Sequence, residues 1–350
     1  MVVAGAGMAG LVAAARLREL GRHPLVLEKC REPGGSMRLS SGVVWRHRDF
    51  ARFRRECPGG LPDLQQAVFE RLDEGLAWLE SIGAEPTRRG TGNPLTTGIR
   101  FDPAQLTSAL ARAAGPIELG RPLTGLREGT PVILATGGFQ ADSALVHEHI
   151  TPQAGHLLLR ASPGSTGEGL RLGLEAGAKT TAGLEQFYGR NMPAPPAGVP
   201  PERFVECAQL YARFAEVTND RGERFETETW SEIDVVQWTA RQPRARARYR
   251  LPEDALGERV GDRTVAAMVR AAEQVGAPVR RHRGTLTLEV VAGITTTLGG
   301  LQIDRSAFAA NGVLAAGADA GGIATGGYAS GLAAALVFGK IAAESASELA

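Results

Sequence analysis

Cysteine and lysine are scarce in this chain of 350 residues, and the cysteine pattern excludes several classes of protein. The cysteines, at positions 30, 57 and 207, are an odd number without a Cys-x-x-Cys pair. That pattern argues against a disulfide framework, a zinc knuckle and an iron–sulfur cluster, so we expect no metal site. Lysine occurs only at positions 29, 179 and 340, but arginine keeps the formal net charge at +1. The chain therefore has no strong overall electrostatic field that would attract nucleic acid or an anionic membrane.

Long apolar runs are also missing. The closest approach to a membrane span, residues 329–343, is rich in glycine and alanine and contains Lys340, which is typical of a buried helix. The first residues form an apolar strand without the basic and apolar regions of a signal peptide. We therefore expect a soluble cytoplasmic protein, long enough for two domains or for one domain with a large insertion.

The first ten residues contain the strongest functional signal. A short apolar strand runs into Gly-x-Gly-x-x-Gly, with glycines at 5, 7 and 10, and a helix is predicted over residues 11–20. Gly5 allows a tight turn, Gly7 lets the backbone approach a pyrophosphate, and Gly10 lets the helix pack on the strand. The pyrophosphate would lie at the helix N-terminus, where unpaired N–H groups favour negative charge.

Glu28 strengthens this interpretation. It follows a second predicted strand, residues 24–27, and lies 18 residues beyond Gly10, about where an acid should accept the ribose hydroxyls. The alternative is a glycine-rich turn in an unrelated α/β domain, which would not explain the acid. The sequence therefore predicts dinucleotide binding.

The remaining pattern predicts one nucleotide-binding fold interrupted by an inserted domain. Residues 1–153 alternate strands and helices, residues 154–290 are less regular, and residues 291–350 return to a strand, a turn and a long helix. We predict an α/β protein, α+β overall. Its Rossmann-like domain comprises the first and last segments, and the middle segment forms an α+β capping domain.

Small-residue motifs recur in residues 5–10, 34–42, 132–139 and 297–335, and residues 222–225 read Gly-Glu-Arg-Phe. Together these stretches resemble the flavoprotein-subunit family of fumarate reductase and succinate dehydrogenase. That family also contains 3-ketosteroid Δ1-dehydrogenases, tricarballylate dehydrogenase and L-aspartate oxidase. The resemblance covers nearly the whole chain, and residues 222–225 resemble the family's capping domain.

The resemblance implies an extended FAD with its adenine end at the first turn. Asp319 would bond the ribityl or pyrophosphate region. The helix beginning near Ser330 would point N–H groups at the flavin pyrimidine edge, where a reduced flavin gathers negative charge. For the small-residue loops, tight backbone packing alone is the alternative. The residues expected to hold FAD are Gly5, Gly7, Met8, Ala9, Gly10, Glu28, Lys29, Gly35, Ser36, Met37, Ser41, Gly42, Ala135, Thr136, Gly137, Asp319, Ser330, Leu332 and Ala333.

Two features that the chain lacks refine the cofactor prediction. The loop over residues 35–41 has no histidine or cysteine to match the family's covalent flavin attachment, so we expect non-covalent FAD. A second dinucleotide motif is also missing, so electrons should come from the substrate or pass to an external acceptor or donor.

The residues that bind and protonate dicarboxylates in fumarate reductases are replaced here. The position of the family's proton-donating arginine falls at about Glu232, and threonines stand at 295–297, where a histidine is expected. The loop over residues 321–327 has no arginine. A carboxylate pair needs fixed cations, so we do not expect fumarate or succinate as substrate.

Tyr328 and Gly331 indicate a different chemistry. Ketosteroid dehydrogenases have a tyrosine and a glycine N–H in this region, which polarise a substrate carbonyl, so the chain is closer to the ketosteroid and tricarballylate dehydrogenase branch. Tyr328 and the Gly331 N–H would form a two-donor site for the carbonyl oxygen. The alternative for Tyr328 is a core tyrosine at a helix start. Tyr188 and Tyr211 are candidates in the capping segment, although packing roles are favoured for Tyr188.

We therefore predict an FAD-dependent oxidoreductase that forms or reduces a C=C bond beside the carbonyl of a small substrate. A base removes the α-proton and flavin N5 accepts the β-hydride. The alternatives are an oxidase that passes electrons to O₂ and a flavin-binding protein without catalysis. The arginine clusters at 241–250 and 280–283 are interpreted as solvated surface, so no nucleic-acid partner is expected.

Overall fold

The computed structural model describes residues 1–227 and 231–349, which pack into two compact units. The first unit comprises Met1–Asp142, Ala161–Gln186 and Thr296–Ala350, and the second comprises Ser143–Arg160 and Phe187–Thr295. The functional division at residues 153/154 and 290/291 stays a prediction. By packing, residues 161–186 belong to the first unit although they fall within the predicted capping segment.

The helices and strands of the described residues are named in chain order. The α-helices are α1 Met8–Glu19, α2 Phe50–Glu56, α3 Pro62–Ser81, α4 Pro103–Ala114, α5 Ser143–His149, α6 Glu168–Glu175, α7 Glu232–Arg241, α8 Val265–Gln274 and α9 Gly331–Glu348. The strands are β1 Val2–Ala4, β2 Leu25–Glu28, β3 Val43–His47, β4 Pro86–Arg89, β5 Thr96–Phe101, β6 Glu118–Leu119, β7 Val132–Leu134, β8 Leu158–Leu159, β9 Phe187–Pro193, β10 Glu216–Thr218, β11 Arg246–Pro252, β12 Arg259–Val260, β13 Arg263–Thr264, β14 Arg280–His282, β15 Thr285–Thr297, β16 Phe308–Ala310 and β17 Val313–Ala315.

The first unit is built on a mostly parallel sheet in the order β16-β17-β7-β1-β2-β6, with only the β16–β17 pair antiparallel. Its central strands are short runs of Val, Ile, Leu and Ala that are almost wholly buried, as expected for a sheet covered on both faces. Helix α1 packs against α4 and α9. Gly339 permits the close approach of α9, because a Cβ there would lie 2.7 Å from the Ala9 carbonyl oxygen. This architecture confirms the predicted Rossmann-like α/β fold.

A smaller antiparallel sheet, in the order β3-β5-β4, completes the first unit with α2 and α3. The second unit is α+β. Strands β10, β11, β15 and β14 form its sheet, β8 and β9 also pair with β15, and α7 packs on β9. Its core includes the fully buried rings of Tyr211 and Tyr249, whose centroids lie 5.6 Å apart.

Acids elsewhere in the second unit balance the arginines of residues 241–250. Arg246 pairs with Glu289 at 3.4 Å and Arg250 pairs with Glu216 at 3.3 Å, and Arg244 pairs with Asp220. The second cluster lies on the exposed edge strand β14. Charged side chains on an edge strand discourage pairing with another chain. Arg244, Arg246 and Arg250 therefore have acidic partners within the same unit, as expected for a charged protein surface.

Local signals place several elements correctly. Helix α4 begins at Pro103, with the Asp102 carboxylate accepting the N–H groups of Ala104 and Gln105 at 3.0 and 2.9 Å. The last helix begins at Gly331, within one residue of the predicted start, with Ser330 as its N-cap. None of the helices in residues 1–227 and 231–349 combines the length and the apolar character that a membrane crossing requires.

Candidate functional site

The loops that follow β2, β1, β7 and β17 meet at one edge of the parallel sheet. These four strands are neighbours and run in the same direction, so their carboxyl ends lie side by side. Crevices at this edge are where open α/β sheets bind their ligands. Most of the residues predicted to hold the cofactor are in these loops, and all of them are in the first unit.

The glycines of the first turn have separate roles in the structure. Gly5 has φ +100°, and a Cβ there would overlap the Ala135 carbonyl oxygen. A Cβ on Gly10 would overlap the Gly5 carbonyl oxygen. Gly7 differs, because a Cβ there would meet no protein atom within 4 Å. Gly7 is also the N-cap of α1 and makes no side-chain cap, so the first N–H groups of the helix, including those of Met8 and Ala9, have no capping side chain.

Glu28 is buried beside this turn and holds its backbone. Its Oε2 accepts the Ala6 N–H at 2.7 Å, and its Oε1 accepts the Cys30 N–H at 2.7 Å. The sequence signal for an acid at this position therefore also has a structural cause. A carboxylate oxygen can accept two hydrogen bonds. Each oxygen of Glu28 therefore keeps a free acceptor site for a ribose hydroxyl.

Lys29 forms polar contacts with residues at the start of α6. Its ammonium donates to Thr166 Oγ1 at 2.5 Å and forms an ion pair with Glu168. Burial would raise the pKa of Glu168, but hydrogen bonds from Lys29 and Thr166 outweigh it and lower the pKa. Glu168 is therefore ionised at neutral pH, and this ion pair ties β2 to α6.

The loop over residues 34–42 lies against the first turn. Gly34 donates its N–H to the Ala6 carbonyl at 2.7 Å, and Gly35 approaches so closely that its Cβ would be 3.4 Å from the Gly7 Cα. Ser36 Oγ accepts the Ser162 N–H at 3.0 Å. The turn of 3₁₀-helix over Gly35–Leu39 includes the buried Met37.

Ser41 and Gly42 end this loop in different environments. Ser41 is exposed. Gly42 is buried with φ +67°, and a Cβ there would overlap the Phe101 carbonyl oxygen. Close backbone packing therefore explains the glycine at position 42, and a contact of either residue with FAD stays a prediction.

Asp319 faces the interior of the protein. The side chain is 1 % exposed. Its Oδ2 accepts the Thr136 N–H at 2.5 Å, while Oδ1 accepts the Thr136 hydroxyl at 3.0 Å and the Gly138 N–H at 3.1 Å. Burial raises the pKa of Asp319, and these hydrogen bonds partly offset that effect. The carboxylate thus fixes the loop Ala135–Gly137, and its bond to the ribityl or pyrophosphate region of FAD stays a prediction.

The N-terminus of α9 is arranged as expected for an anion-facing helix end. Ser330 Oγ accepts the Ala333 N–H at 3.2 Å and caps the helix. The N–H groups of Gly331 and Leu332 precede the first intrahelical bonds, and Gly331 is exposed with no protein atom within 4 Å of a Cβ position. These two groups are available for a ligand at this end of the helix.

Tyr328 lies immediately before that helix and is half-buried. Its ring packs at 5.3 Å from the ring of Trp45 on β3. The preceding loop is held tightly, because Gly326 donates its N–H to Gln186 Oε1 at 2.7 Å and a Cβ on Gly327 would overlap the Glu56 carbonyl oxygen. Tyr328 and Gly331 therefore lie three residues apart on one well-packed turn, and their predicted joint role at a substrate carbonyl stays a prediction.

His47 extends the aromatic group behind Tyr328. Its ring lies 5.3 Å from that of Trp45 and 5.4 Å from that of Phe53. Neither ring nitrogen makes a well-formed hydrogen bond, although the Tyr328 backbone is near enough to affect its titration. Burial lowers the pKa of His47, so the ring is neutral at pH 7 and supplies no charge to the site.

Tyr188 and Tyr211 belong to the second unit. Tyr188 is on β9, where the Arg190 guanidinium lies 4.6 Å from its ring centroid. Tyr211 is fully buried, and its hydroxyl donates to Gln209 Oε1 at 2.8 Å. Tyr211 is thus a core residue, whereas Tyr188 retains accessible surface.

Sequence reasoning missed three polar residues that support the site. Glu168 holds Lys29, Gln186 holds the loop before Tyr328, and Gln140 donates to the Gly137 carbonyl at 2.9 Å. None of them belongs to a recognisable motif, since each meets its partner through the folded chain. Within the described parts of the chain, no group of three or more His, Cys, Asp or Glu side chains is placed to hold a metal ion.

The geometry of the first unit fits a bound dinucleotide. The open side of Gly7, the uncapped start of α1 and the remaining acceptor capacity of Glu28 lie along one edge of the sheet. The exposed N–H groups at the start of α9 supply a second set of donors. These features define the class of the protein as one that binds a dinucleotide at a Rossmann-like sheet.

Comparison with known families identifies the cofactor class. The family described as "FAD binding domain" matches residues 124–332, and the one described as "NAD(P)-binding Rossmann-like domain" matches residues 3–48. The chain belongs to the FAD binding domain family, which confirms the resemblance noted in the sequence. No curated protein matches the sequence significantly.

Solved structures share the fold over almost the whole chain. A flavocytochrome c3 fumarate reductase in an open conformation is 18 % identical, with a TM-score of 0.76, and the match covers 99 % of this chain and 78 % of that one. The 3-ketosteroid Δ1-dehydrogenase from Sterolibacterium denitrificans is 16 % identical, with a TM-score of 0.73 and coverage of 99 % of both chains. The 3-ketosteroid-Δ4-(5α)-dehydrogenase from Rhodococcus jostii RHA1 is 17 % identical, with a TM-score of 0.71 and coverage of 99 % and 96 %.

Proposed function

We propose that this protein is an FAD-dependent oxidoreductase that forms or reduces a C=C bond next to the carbonyl group of a small substrate. The observation that carries the proposal is the turn on which Tyr328 and the exposed N–H of Gly331 lie together, before a helix whose first N–H groups are available. When bound, FAD would accept or donate the hydride at its N5 atom. The family membership and the fold shared with dehydrogenases and reductases support this assignment.

The protein's own contribution would be to hold the substrate carbonyl. A tyrosine hydroxyl and a backbone N–H directed at one oxygen stabilise the negative charge that develops there when the α-proton leaves. The packing of Tyr328 on Trp45 and the tight loop over Gly326 and Gly327 fix the turn before a ligand arrives. A preorganised pair of donors needs little rearrangement during the reaction.

We expect Tyr328→Phe to slow anaerobic reduction of the bound flavin by a ketone substrate by about 10²–10³-fold, which is typical for loss of one oxyanion donor. Packing on Trp45 should survive, so flavin content and the thermal midpoint should match the wild type. Tyr249→Phe is the comparison variant, because it removes a tyrosine hydroxyl in the core of the second unit, away from the predicted catalytic residues. An unchanged rate in Tyr328→Phe would refute the role of this hydroxyl.

We also propose that FAD is bound without a covalent link. The loop over residues 34–42 contains no histidine or cysteine. After acid precipitation of the purified protein, the yellow flavin absorbance should therefore move to the supernatant. Colour that stays in the pellet would contradict the proposal, and a protein without colour that takes up no added FAD would contradict cofactor binding itself.

An external acceptor or donor would exchange electrons with the flavin, since the chain has no second dinucleotide motif. Rapid peroxide release after reduction would instead favour an oxidase, and failure of every donor to reduce the bound flavin would favour a flavin-binding protein without catalysis. The three cysteines are free in the structure, which agrees with a reducing compartment, and we propose the cytoplasm.

A further inference from the structure

One face of the sheet in the second unit is lined with arginines. Buried and accessible residues alternate along β11, so Tyr249 and Leu251 lie in the core while Arg250 between them lies on the opposite, outward face. Thr287 of β15 pairs with Arg250 on one side and with Arg280 of β14 on the other, so all three share that face. Neighbouring strands lie about 4.8 Å apart, which places the Cα atoms of the two arginines roughly 10 Å from each other.

Six arginines form this surface, which we call the arginine face: Arg224, Arg244, Arg246, Arg248, Arg250 and Arg280. The side chain of Arg248 is 42 % exposed and that of Arg250 is 61 % exposed, and Arg280 lies on the exposed edge strand. Guanidinium groups at these positions can therefore contact a molecule outside the chain.

Carboxylates of the same unit hold five of these arginines in place. Each carboxylate bridges two guanidinium groups: Glu216 those of Arg224 and Arg250, Asp220 those of Arg244 and Arg248, and Glu289 those of Arg246 and Arg248. Among the described residues, none forms a hydrogen bond or an ion pair with the side chain of Arg280. Six guanidinium groups therefore stand against three carboxylates, which leaves an excess of three positive charges on the face.

The mixed charge of the arginine face favours a protein over a nucleic acid as its partner. Glu216 and Glu289 lie between the arginines, where they would repel a continuous phosphate backbone. In the described strands β10, β11, β14 and β15, no Trp, Tyr or Phe points outward, so bases would find no ring to stack on. A protein surface can instead place its carboxylates opposite individual guanidinium groups.

We propose that the arginine face binds a partner protein through a cluster of carboxylates on that partner. A guanidinium group has five N–H donors in a planar fork, and a bridging acid uses only some of them, so each arginine keeps donors for a second carboxylate. Arg280 would bind a carboxylate directly, with the Thr287 hydroxyl beside it as a further donor. The bridging acids fix the other arginines before the partner arrives, which lowers the entropy lost on binding. All of the predicted cofactor residues are in the first unit, so the inference goes beyond the proposed function.

The test measures binding of a fluorescein-labelled octaglutamate peptide to the full-length, FAD-loaded protein by fluorescence anisotropy. The peptide should bind at about 20 mM NaCl and lose about tenfold or more of its affinity at about 200 mM NaCl, because salt screens exposed charges. A labelled octathymidylate should bind more weakly than the peptide at both salt concentrations.

The combined variant Arg248→Gln, Arg250→Gln and Arg280→Gln should weaken binding of the peptide at low salt by about tenfold or more. The salt dependence of binding should fall as well, since fewer charges take part. Exposed ion pairs contribute little to folding, so FAD absorbance and the thermal midpoint should stay at wild-type values.

The matched control removes the same charge from exposed arginines of the first unit, in the combined variant Arg55→Gln, Arg88→Gln and Arg127→Gln. It should bind the peptide as the wild type does. Equal weakening in both combined variants would show attraction to net charge alone and would overturn the proposal. Failure of the wild type to bind the peptide at low salt would overturn it as well, and tighter binding of octathymidylate would assign the face to nucleic acid instead.

Discussion

Replacing Gly7 with alanine is expected to abolish tight FAD binding while leaving the protein folded. Gly7 has φ −76° and ψ −170°, a conformation that alanine adopts readily, and a Cβ there would meet no protein atom within 4 Å. The added methyl group would instead occupy the space in which the pyrophosphate approaches the start of α1. Loss of two charge-assisted hydrogen bonds of about 1.5–3 kcal/mol each weakens binding by roughly 10²–10⁴-fold.

The measurement is FAD titration of the deflavinated protein, together with its thermal midpoint. Gly125→Ala is the matched control, because Gly125 is exposed and a Cβ there would also meet no protein atom. Both variants should leave the stability of the apoprotein unchanged or raise it by up to about 1 kcal/mol, since alanine restricts the unfolded chain. Wild-type affinity in Gly7→Ala would show that the pyrophosphate lies elsewhere.

Asp319→Ala is expected to destabilise the first unit strongly. The substitution leaves the Thr136 and Gly138 N–H groups without their acceptor at a fully buried position. Each unsatisfied buried donor costs about 1–3 kcal/mol, so the free energy of unfolding should fall by about 2–6 kcal/mol. The thermal midpoint should then fall by roughly 5–20 °C. Flavin content should fall as well, because Asp319 fixes the loop at 135–137.

Asp304→Ala is the control for this second prediction. The Asp304 Oδ1 also accepts two backbone N–H groups, from Ser306 at 2.8 Å and Phe308 at 2.9 Å, but in an exposed turn where water can replace it. Its thermal midpoint should fall by a few degrees at most. A similar small effect in Asp319→Ala would contradict the positioning role of the buried carboxylate.

Local signals in the sequence were sufficient for the elements nearest the cofactor. The glycines at 5, 7 and 10 predicted the first turn because the motif acts over a few residues: a Cβ on Gly10 would overlap the Gly5 carbonyl oxygen, and Gly7 leaves open space for a ligand. The Asp102-Pro103 pair is likewise a local signal for the start of α4, since a cap acts only on the turn that follows it.

Features that depend on partners distant in the chain were not predictable in the same way. The resemblance implies that Asp319 bonds the cofactor, which stays a prediction. It gives no sign that the carboxylate also accepts the Thr136 and Gly138 N–H groups, which it reaches because β17 lies beside β7. The resemblance places Gly42 beside the flavin, which stays a prediction. Its close packing on the Phe101 carbonyl oxygen depends on a neighbouring strand and has no local sequence signal. The pairing of Lys29 with Glu168 likewise has no sequence motif, because it depends on how α6 packs.

The order of strands in the parallel sheet has a consequence for biosynthesis. Thr136 and Asp319 are 183 positions apart, and β17 reaches β7 only after the whole inserted segment has been made. A nascent chain on the ribosome therefore carries the first glycine turn long before the last loop exists. Until then β7 presents an unpaired apolar edge, which is a target for chaperones and a risk for aggregation. FAD loading should accordingly be a late event, at the end of translation or after it.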